Sequence, residues 1–268
     1  MVTTLALPDL KQLENIVIAA ARDILVPAFG HSEFHYKADG SVITPADVSM
    51  QQRLQSELAE AWPDFAMLGE EMSEAQQRDA MAKAAGYWCI DPLDGTNNFA
   101  SGMPFFAVSI ALVIDGQQQL GLIYDPLRNE VFSALRNGGA FLNGNVLHVP
   151  DSKAFVENVI AEIDIKRLPK DLAVRLVTEE PFSSQRNIGS SALDWCWLAA
   201  GRYSVYLHGG QMMWDYAAGS LIFQQAGGYS KSLDGEPVFR GELEVRSVLA
   251  AADAGLFDYW ESWIGIPL

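Results

Sequence analysis

Two aspartates, Asp91 and Asp94, stand three positions apart in the run Asp91-Pro92-Leu93-Asp94-Gly95-Thr96-Asn97, directly after the apolar stretch Tyr87-Trp88-Cys89-Ile90. The apolar stretch predicts a buried strand, and strand ends are where functional groups collect. A hard divalent cation needs several oxygens converging on one point. Asp91, the Leu93 carbonyl and Asp94 can offer three from one short turn, with Pro92 restricting the backbone between them. Gly95-Thr96-Asn97 then reads as a helix start whose free N–H groups suit a phosphate. A plain surface turn accounts for the Asp94-Gly95 dipeptide equally well. Taken alone, the stretch supports both readings.

Other segments carry carboxylates at comparable places. Gly69-Glu70-Glu71 follows the short run Asp64-Phe65-Ala66-Met67-Leu68, Trp214-Asp215-Tyr216-Ala217-Ala218-Gly219 opens an apolar helical pattern, and Thr44-Pro45-Ala46-Asp47 opens another helix. Read singly, Thr44 and Asp47 form a capping box, Asp215 favours a helix N-terminus and Glu71 is a solvated neighbour.

Together and in this order, the segments resemble the inositol monophosphatase family of magnesium-dependent, lithium-sensitive phosphatases. The family pattern is an Asp, then Glu-Glu, then Asp-Pro-x-Asp-Gly-Thr-x-Asn-Phe, then Trp-Asp-x-Ala-Ala-Gly, with Gly-Gly some way after. Here it reads Asp47, Glu70-Glu71, Asp91 to Phe99, Trp214 to Gly219, and Gly227-Gly228. The resemblance covers nearly the whole chain, and its two longest motifs are specific in combination.

The resemblance implies two to three Mg²⁺ ions. Glu70, Asp91 and the Leu93 carbonyl would hold the first, and Asp91, Asp94 and Asp215 the second, with a weaker third near Glu70. Two such ions clamp a phosphate for in-line attack by a metal-activated water. The catalytic pair is Asp47 and Thr96, the threonine hydroxyl orienting that water and taking up its proton. The N–H groups of Gly95 and Thr96 would meet phosphate oxygens, with Gly189, Ser190 and Ser191 forming the substrate loop. Seven positions before Asp215, inositol-specific members carry a glutamate, whereas this chain has His208 followed by Gly209-Gly210. His208 is either a substrate contact or a satisfied histidine.

The implied activity is a Mg²⁺-dependent phosphomonoesterase acting on a small polyol or sugar phosphate, of the inositol-1-monophosphatase kind. Alternatives on the same fold and metals are a 3′(2′),5′-bisphosphate nucleotide, fructose 1,6-bisphosphate or histidinol phosphate. A regulatory, protein-binding role is the alternative of another class. A homodimer is implied as well.

Composition agrees. At 268 residues, 49% of them apolar, the chain can bury a large core in one or two domains. A formal net charge of −16 argues against nucleic acid or an anionic membrane as main partner. An acidic phosphatase needs cations between itself and its anionic substrate, so metal site and charge fit together. Cys89 and Cys196 lie in apolar patterns and read as buried free thiols, too few for a disulfide framework or zinc site. Met1 to Leu7 shows no signal-peptide pattern and no run is long and uncharged enough to span a membrane, so the chain is placed in the cytoplasm.

The elements that must position these residues are legible in outline. Asp9 caps a helix with one apolar face from Leu10 to Leu25; a second helix runs from Pro45 towards Ala61, and Phe34 to Ile43 forms two short extended segments between them. After the Asp91 motif come strands at Ala107 to Ile114, Gln119 to Tyr124 and Glu130 to Leu135, with turns at Asn137-Gly138-Gly139 and Asn143-Gly144, an antiparallel meander. The second half alternates strands at Asn158 to Ile163, Arg186 to Ile188 and Tyr203 to Leu207 with helices at Lys170 to Val177, Ser191 to Ala200 and Trp214 to Ala226. Strands at Tyr229 to Ser232 and Val245 to Ala251 and a helix capped by Asp253 complete it. The lobes are residues 1–150, with an antiparallel sheet and most metal ligands, and 151–268, with a mixed sheet and the substrate loop; the boundary lies at Pro150 to Lys153. The fold class is α+β or α/β, and the resemblance supplies the layer order, an α-β-α-β-α sandwich.

Four further candidates have plainer explanations. Lys37 reads as solvated or a weak substrate contact, Met212-Met213 as packing, and Trp195, Trp197 and Trp214 as core or interface aromatics. Arg186 is a surface charge or a partner for a second phosphate.

Overall fold

A computed structural model of the chain describes residues 6–37, 40–82, 86–150 and 158–266. Residues 151–153 of the expected lobe boundary and 1–5 of the amino-terminal reading lie outside the described residues.

Helix α1 (Leu10–Ala28) starts where Asp9 Oδ1 accepts the Gln12 N–H at 2.7 Å, and α2 (Pro45–Ala61) starts at the Thr44–Asp47 capping box. Their buried residues recur at helical spacing, Leu13, Val17, Ala20 and Leu25 on α1 and Met50, Leu54 and Leu58 on α2. Between them β1 (His35–Tyr36) and β2 (Val42–Ile43) form a short antiparallel ribbon.

The apolar faces of α1 and α2 cover one side of a seven-stranded sheet in sequential order: β3 (Ala66–Gly69), β4 (Tyr87–Asp94), β5 (Ala107–Ile114), β6 (Gln117–Asp125), β7 (Glu130–Leu135), β8 (Gly139–Leu142) and β9 (Asn145–Leu147). Among the described residues of this sheet, β3 and β4 are the one parallel pair; α3 (Glu74–Met81) makes that crossover possible. The period of two sorts β5 cleanly. Val108, Ile110 and Leu112 meet α1 and α2, while Ala107, Ala111 and Val113 face the opposite side.

On that opposite side lie α6 (Ser191–Ala199) and α7 (Met213–Gln225), which also touch the second sheet. Small residues bring them close: a Cβ on Gly121 would sit 2.9 Å from the Ala218 carbonyl oxygen. The second sheet has order β11 (Ser184–Arg186), β10 (Ile160–Asp164), β12 (Val205–Gln211), β14 (Arg246–Ala251), β13 (Tyr229–Lys231), with β10 parallel to both neighbours. Its far face packs on α5 (Lys170–Glu179) and α8 (Ala254–Ile264) through Leu172, Leu176, Leu256 and Trp260. The layers are therefore α-β-α-β-α, as expected.

Three elements differ from the sequence reading. The α3 helix was not anticipated, although Ser73 and Gln76 form its capping box. The strand expected at Arg186 to Ile188 is displaced to Ser184–Arg186. Strand β12 continues past Leu207 to Gln211 through a register shift after His208.

Candidate metal and phosphate site

In a regular strand, residues three apart face opposite sides of the sheet. Asp91 pairs with Ser109 and Asp94 with Ala107, so β4 takes three steps where β5 takes two. That extra residue is a bulge, a place that tolerates Pro92, and it turns both carboxylates to one side. The Asp91 carboxylate also accepts the Leu93 N–H at 2.9 Å.

Asp215 arrives from the first turn of α7, where its Oδ2 accepts the Met212 N–H at 2.8 Å. Ser109, opposite Asp91, donates its hydroxyl to the Trp214 carbonyl at 3.0 Å and so ties the start of α7 to β5. As a result one carboxylate oxygen from each of Asp91, Asp94 and Asp215 lies within 4.8 Å of the others. These residues, Leu93 and Glu70 line one cavity of about 310 Å³.

Burial pushes the Asp91 carboxyl well above its ordinary range, and the negative charges of Glu70, Asp94 and Asp215 push it further. Asp215 is raised in the same way, by burial and then by Asp94 and Glu70. Burial also raises Asp94, to about 6, against hydrogen bonds from Ser190 and the Ala192 N–H that favour its charge. Three crowded carboxylates in a low-dielectric corner are costly without a cation, and an all-oxygen donor set suits Mg²⁺. The residues present fit that ion.

Glu70 shares the cavity, but its carboxylate is bonded to Lys37 at 2.9 Å, and the same ammonium is 2.6 Å from Glu71. Burial alone would lower the Lys37 pKa, yet the two carboxylates more than reverse this and raise it. Lys37 and Glu71 are thus not the solvated side chains the sequence suggested; Lys37 links Glu71 to Glu70, a proposed ligand.

Asp47 divides its carboxylate between two neighbours. One oxygen accepts the Thr44 N–H and hydroxyl at 2.8 and 2.6 Å, and the other lies 3.0 Å from the Thr96 hydroxyl. The Thr96 hydroxyl is also 2.9 Å from the Leu93 carbonyl. With a single proton, it donates fully to only one of them, and donation to Asp47 releases the Leu93 oxygen.

Gly95 caps the short helix α4 (Thr96–Ala100) at a φ of 88°, a left-handed conformation that favours glycine, and no side chain caps that turn. Gly95 and Thr96 line the cavity, as do Gly189 and Ser191. Ser190 is different: its hydroxyl bonds Asp94, whose carboxylate also accepts the Ala192 N–H at 2.9 Å. It is buried and orients one of the clustered aspartates instead of lining the cavity, unlike the expected substrate contact.

His208 reaches the cavity wall but is buried, with both ring nitrogens engaged: Nδ1 accepts the Gly210 N–H at 3.1 Å and Nε2 lies 3.2 Å from Asp164. Burial pushes its pKa down despite Asp164, so the ring is neutral. It has no free nitrogen for a substrate. Arg186 turns to Ser184 and the Gln185 carbonyl on the exposed surface, which favours the surface-charge reading. Met213 is core packing against the Tyr87 hydroxyl, Trp195 is fully buried, and both cysteines are buried free thiols.

Sequence reasoning missed three contributors. Asn98 stood inside the motif without a role; its amide bonds the Phe105 and Ile188 carbonyls at 2.8 and 2.7 Å and fastens α4 to the loop that precedes α6. Asp164 ends a strand, the same signal that drew attention to Asp91. Ser109 had no local signal, since its partner is 105 positions away.

Comparison with known proteins agrees with this geometry. Residues 9–261 match the sequence model of the inositol monophosphatase family. The chain is 37% identical to an inositol-1-monophosphatase of Mesorhizobium japonicum, over 74% of this chain and 75% of that protein. It is 34% identical to the Nus factor SuhB of Pasteurella multocida, over 80% and 82%. A solved IMPase/NADP phosphatase complexed with Mg²⁺ and phosphate superposes with a TM-score of 0.74 at 25% identity, covering 91% of this chain and 88% of that one.

Proposed function

Because this chain belongs to the inositol monophosphatase family, we propose that it is a Mg²⁺-dependent phosphomonoesterase that hydrolyses a small polyol or sugar phosphate, of the inositol-1-monophosphatase kind. The observation that carries this reading is the convergence of Asp91, Asp94 and Asp215 within 4.8 Å, in one cavity with Thr96.

Two to three Mg²⁺ ions, when bound, would supply positive charge to the phosphate oxygens and lower the pKa of water. Asp91, Asp94 and Asp215 would hold them, with Glu70 and the Leu93 carbonyl completing the ligand set. The chain's own residues do the rest. Thr96, donating to Asp47, keeps lone pairs with which to orient a water and take up its proton. The N–H groups of Gly95 and Thr96 hold phosphate oxygens, and Asn98 keeps Gly189 and Ser191 in place beside them.

The same reading includes the division into residues 1–150 and 151–268, a homodimer and a cytoplasmic location. The separate sheets, 66–147 and 160–251, support the division. Among the described residues no helix is long and apolar enough to cross a membrane. Lys166 and Arg167 at the cavity wall favour a second reading, a nucleotide or sugar bisphosphate whose extra phosphate they would meet. A regulatory, protein-binding role draws support from the relative named as a Nus factor.

The deciding experiment is phosphate release with Mg²⁺ from inositol, sugar, histidinol and nucleotide phosphates, with and without chelator. Turnover that disappears on chelation, returns with Mg²⁺ and is inhibited by lithium is expected. Full activity in excess chelator, or no hydrolysis of any ester, would sink the proposal.

A further inference from the structure

The cavity lined by the acidic trio is also lined by a carboxylate that the phosphate chemistry leaves unused. Asp164 is the last residue of β10, and its register partner on the parallel neighbour β12 is His208. The chain runs through α5, β11 and α6 between these strands, so sheet topology alone makes the pair.

The surroundings of Asp164 fix both its charge and its direction. The Gly210 N–H occupies Nδ1 of His208, which leaves the ring proton on Nε2, 3.2 Å from Asp164 Oδ2. Oδ1 accepts the Lys166 N–H at 3.0 Å at the start of a single 3-10 turn, Ile165–Arg167. Arg167 stands 3.6 Å from Oδ2 and donates to the Gly210 carbonyl at 3.0 Å. Gly209 permits this closure, since a Cβ there would lie 1.8 Å from the Arg167 carbonyl oxygen. Burial disfavours the charged carboxylate, but the His208 hydrogen bond, the Arg167 guanidinium and the Lys166 N–H outweigh it and hold Asp164 below the ordinary carboxylate range. What faces the cavity is an ionised, oriented acceptor with lone pairs to spare.

We propose that Asp164, oriented by His208, accepts hydrogen bonds from hydroxyl groups on the alcohol part of the ester and makes the enzyme selective for polyol phosphates. The proposal rests on the phosphatase reading and names the residue that chooses among its substrates. His208 acts through Asp164 and is a positioning residue. The Asp164 charge also opposes a second phosphate at this wall, against the pull of Lys166 and Arg167.

The test compares kcat/KM for inositol 1-phosphate and glycerol 2-phosphate with that for phenyl phosphate, which has no hydroxyl, under saturating Mg²⁺. Asp164→Asn keeps the side-chain shape but loses the charge. It is expected to lower kcat/KM for both polyol esters by roughly 10- to 100-fold, the worth of a hydrogen bond to a charged group, chiefly through KM. Phenyl phosphate turnover should stay unchanged. His208→Gln should shift the same ratio in the same direction by less. An equal loss on all three esters would mark Asp164 as merely structural, and an unmoved ratio would place it outside recognition; either overturns the proposal. So would a variant that gains on bisphosphates with no loss on polyols. If Asp164→Asn does not fold, the ratio in His208→Gln decides by the same criterion. A wild-type protein that hydrolyses none of the esters is a different result, the failure of the phosphatase reading itself.

Discussion

Asp47 shows how one side chain can serve the fold and the chemistry at once. Its two oxygens are separately engaged, one by the Thr44 cap and one by Thr96. Asp47→Asn is therefore expected to lose about 1 kcal/mol of stability through the cap and also roughly 10²- to 10⁴-fold in kcat. Thr96→Ala should show the rate loss without the lower melting temperature. Thermal melts beside kcat separate the two, and an Asp47→Asn variant that melts early but turns over at full rate would leave Asp47 as a helix cap only. Glu162, on β10, gives a pH dependence. It is buried, one of its carboxylate oxygens has no hydrogen-bond partner among the described residues, and burial lifts its pKa to about 7. An unfolded glutamate titrates near ~4.3. Between about pH 4 and 7 the folded protein then holds a proton the unfolded chain has released, so stability falls as pH rises through that window and levels off above it. Glu162→Gln should match the wild type near pH 4 and exceed it by roughly 1–3 kcal/mol at pH 8. Unfolding curves across that range test this; a gap that is constant with pH would remove Glu162 as the cause.

The elements meet at the site through a few cross-links that periodicity does not encode. The bulge in β4 turns Asp91 and Asp94 to one side, and Ser109 on β5 anchors the start of α7 beside them. Ser109→Ala would leave the Trp214 carbonyl without its donor in a buried place, at a cost of about 1–3 kcal/mol. Because Asp215 sits in the turn that Ser109 holds, the same change should weaken Mg²⁺ binding, while turnover at saturating Mg²⁺ stays closer to normal. Calorimetric titration with Mg²⁺ would check it. Unchanged affinity would mean that the Met212 N–H contact is enough to place Asp215.

For the molecule as a whole, a net charge of −16 and three crowded carboxylates, two of them buried, mean that the native state gains from cations. Mg²⁺ should raise the melting temperature, with stabilisation near 2.7 kcal/mol once its concentration is about 100 times Kd. Asp215→Asn should lose most of that gain. Ca²⁺ should stabilise yet support turnover poorly, since its larger and looser coordination does not hold the tight geometry of Mg²⁺. A melting temperature indifferent to Mg²⁺ in the wild type would contradict the metal assignment.

Much of this molecule is written locally. Helices α1 and α2, strands β5 and β7 and the turns between β6 and β9 follow from apolar period, caps and Gly or Asn turn residues, all of which depend on residues a few positions apart. The α3 cap at Ser73 and Gln76 is equally local. The Asp91 motif likewise reads locally, because its oxygens and its helix start share one short stretch. The edge strand β11 is expected two residues too late, since Ser184-Gln185-Arg186 has no apolar alternation to fix its bounds. What only the tertiary structure decided are the partners: Ser190 with Asp94, Lys37 between Glu70 and Glu71, and Asp164 with His208. The physical reason is that a side chain's type limits the bonds it can make, whereas strand order and helix packing decide which group is there to make them.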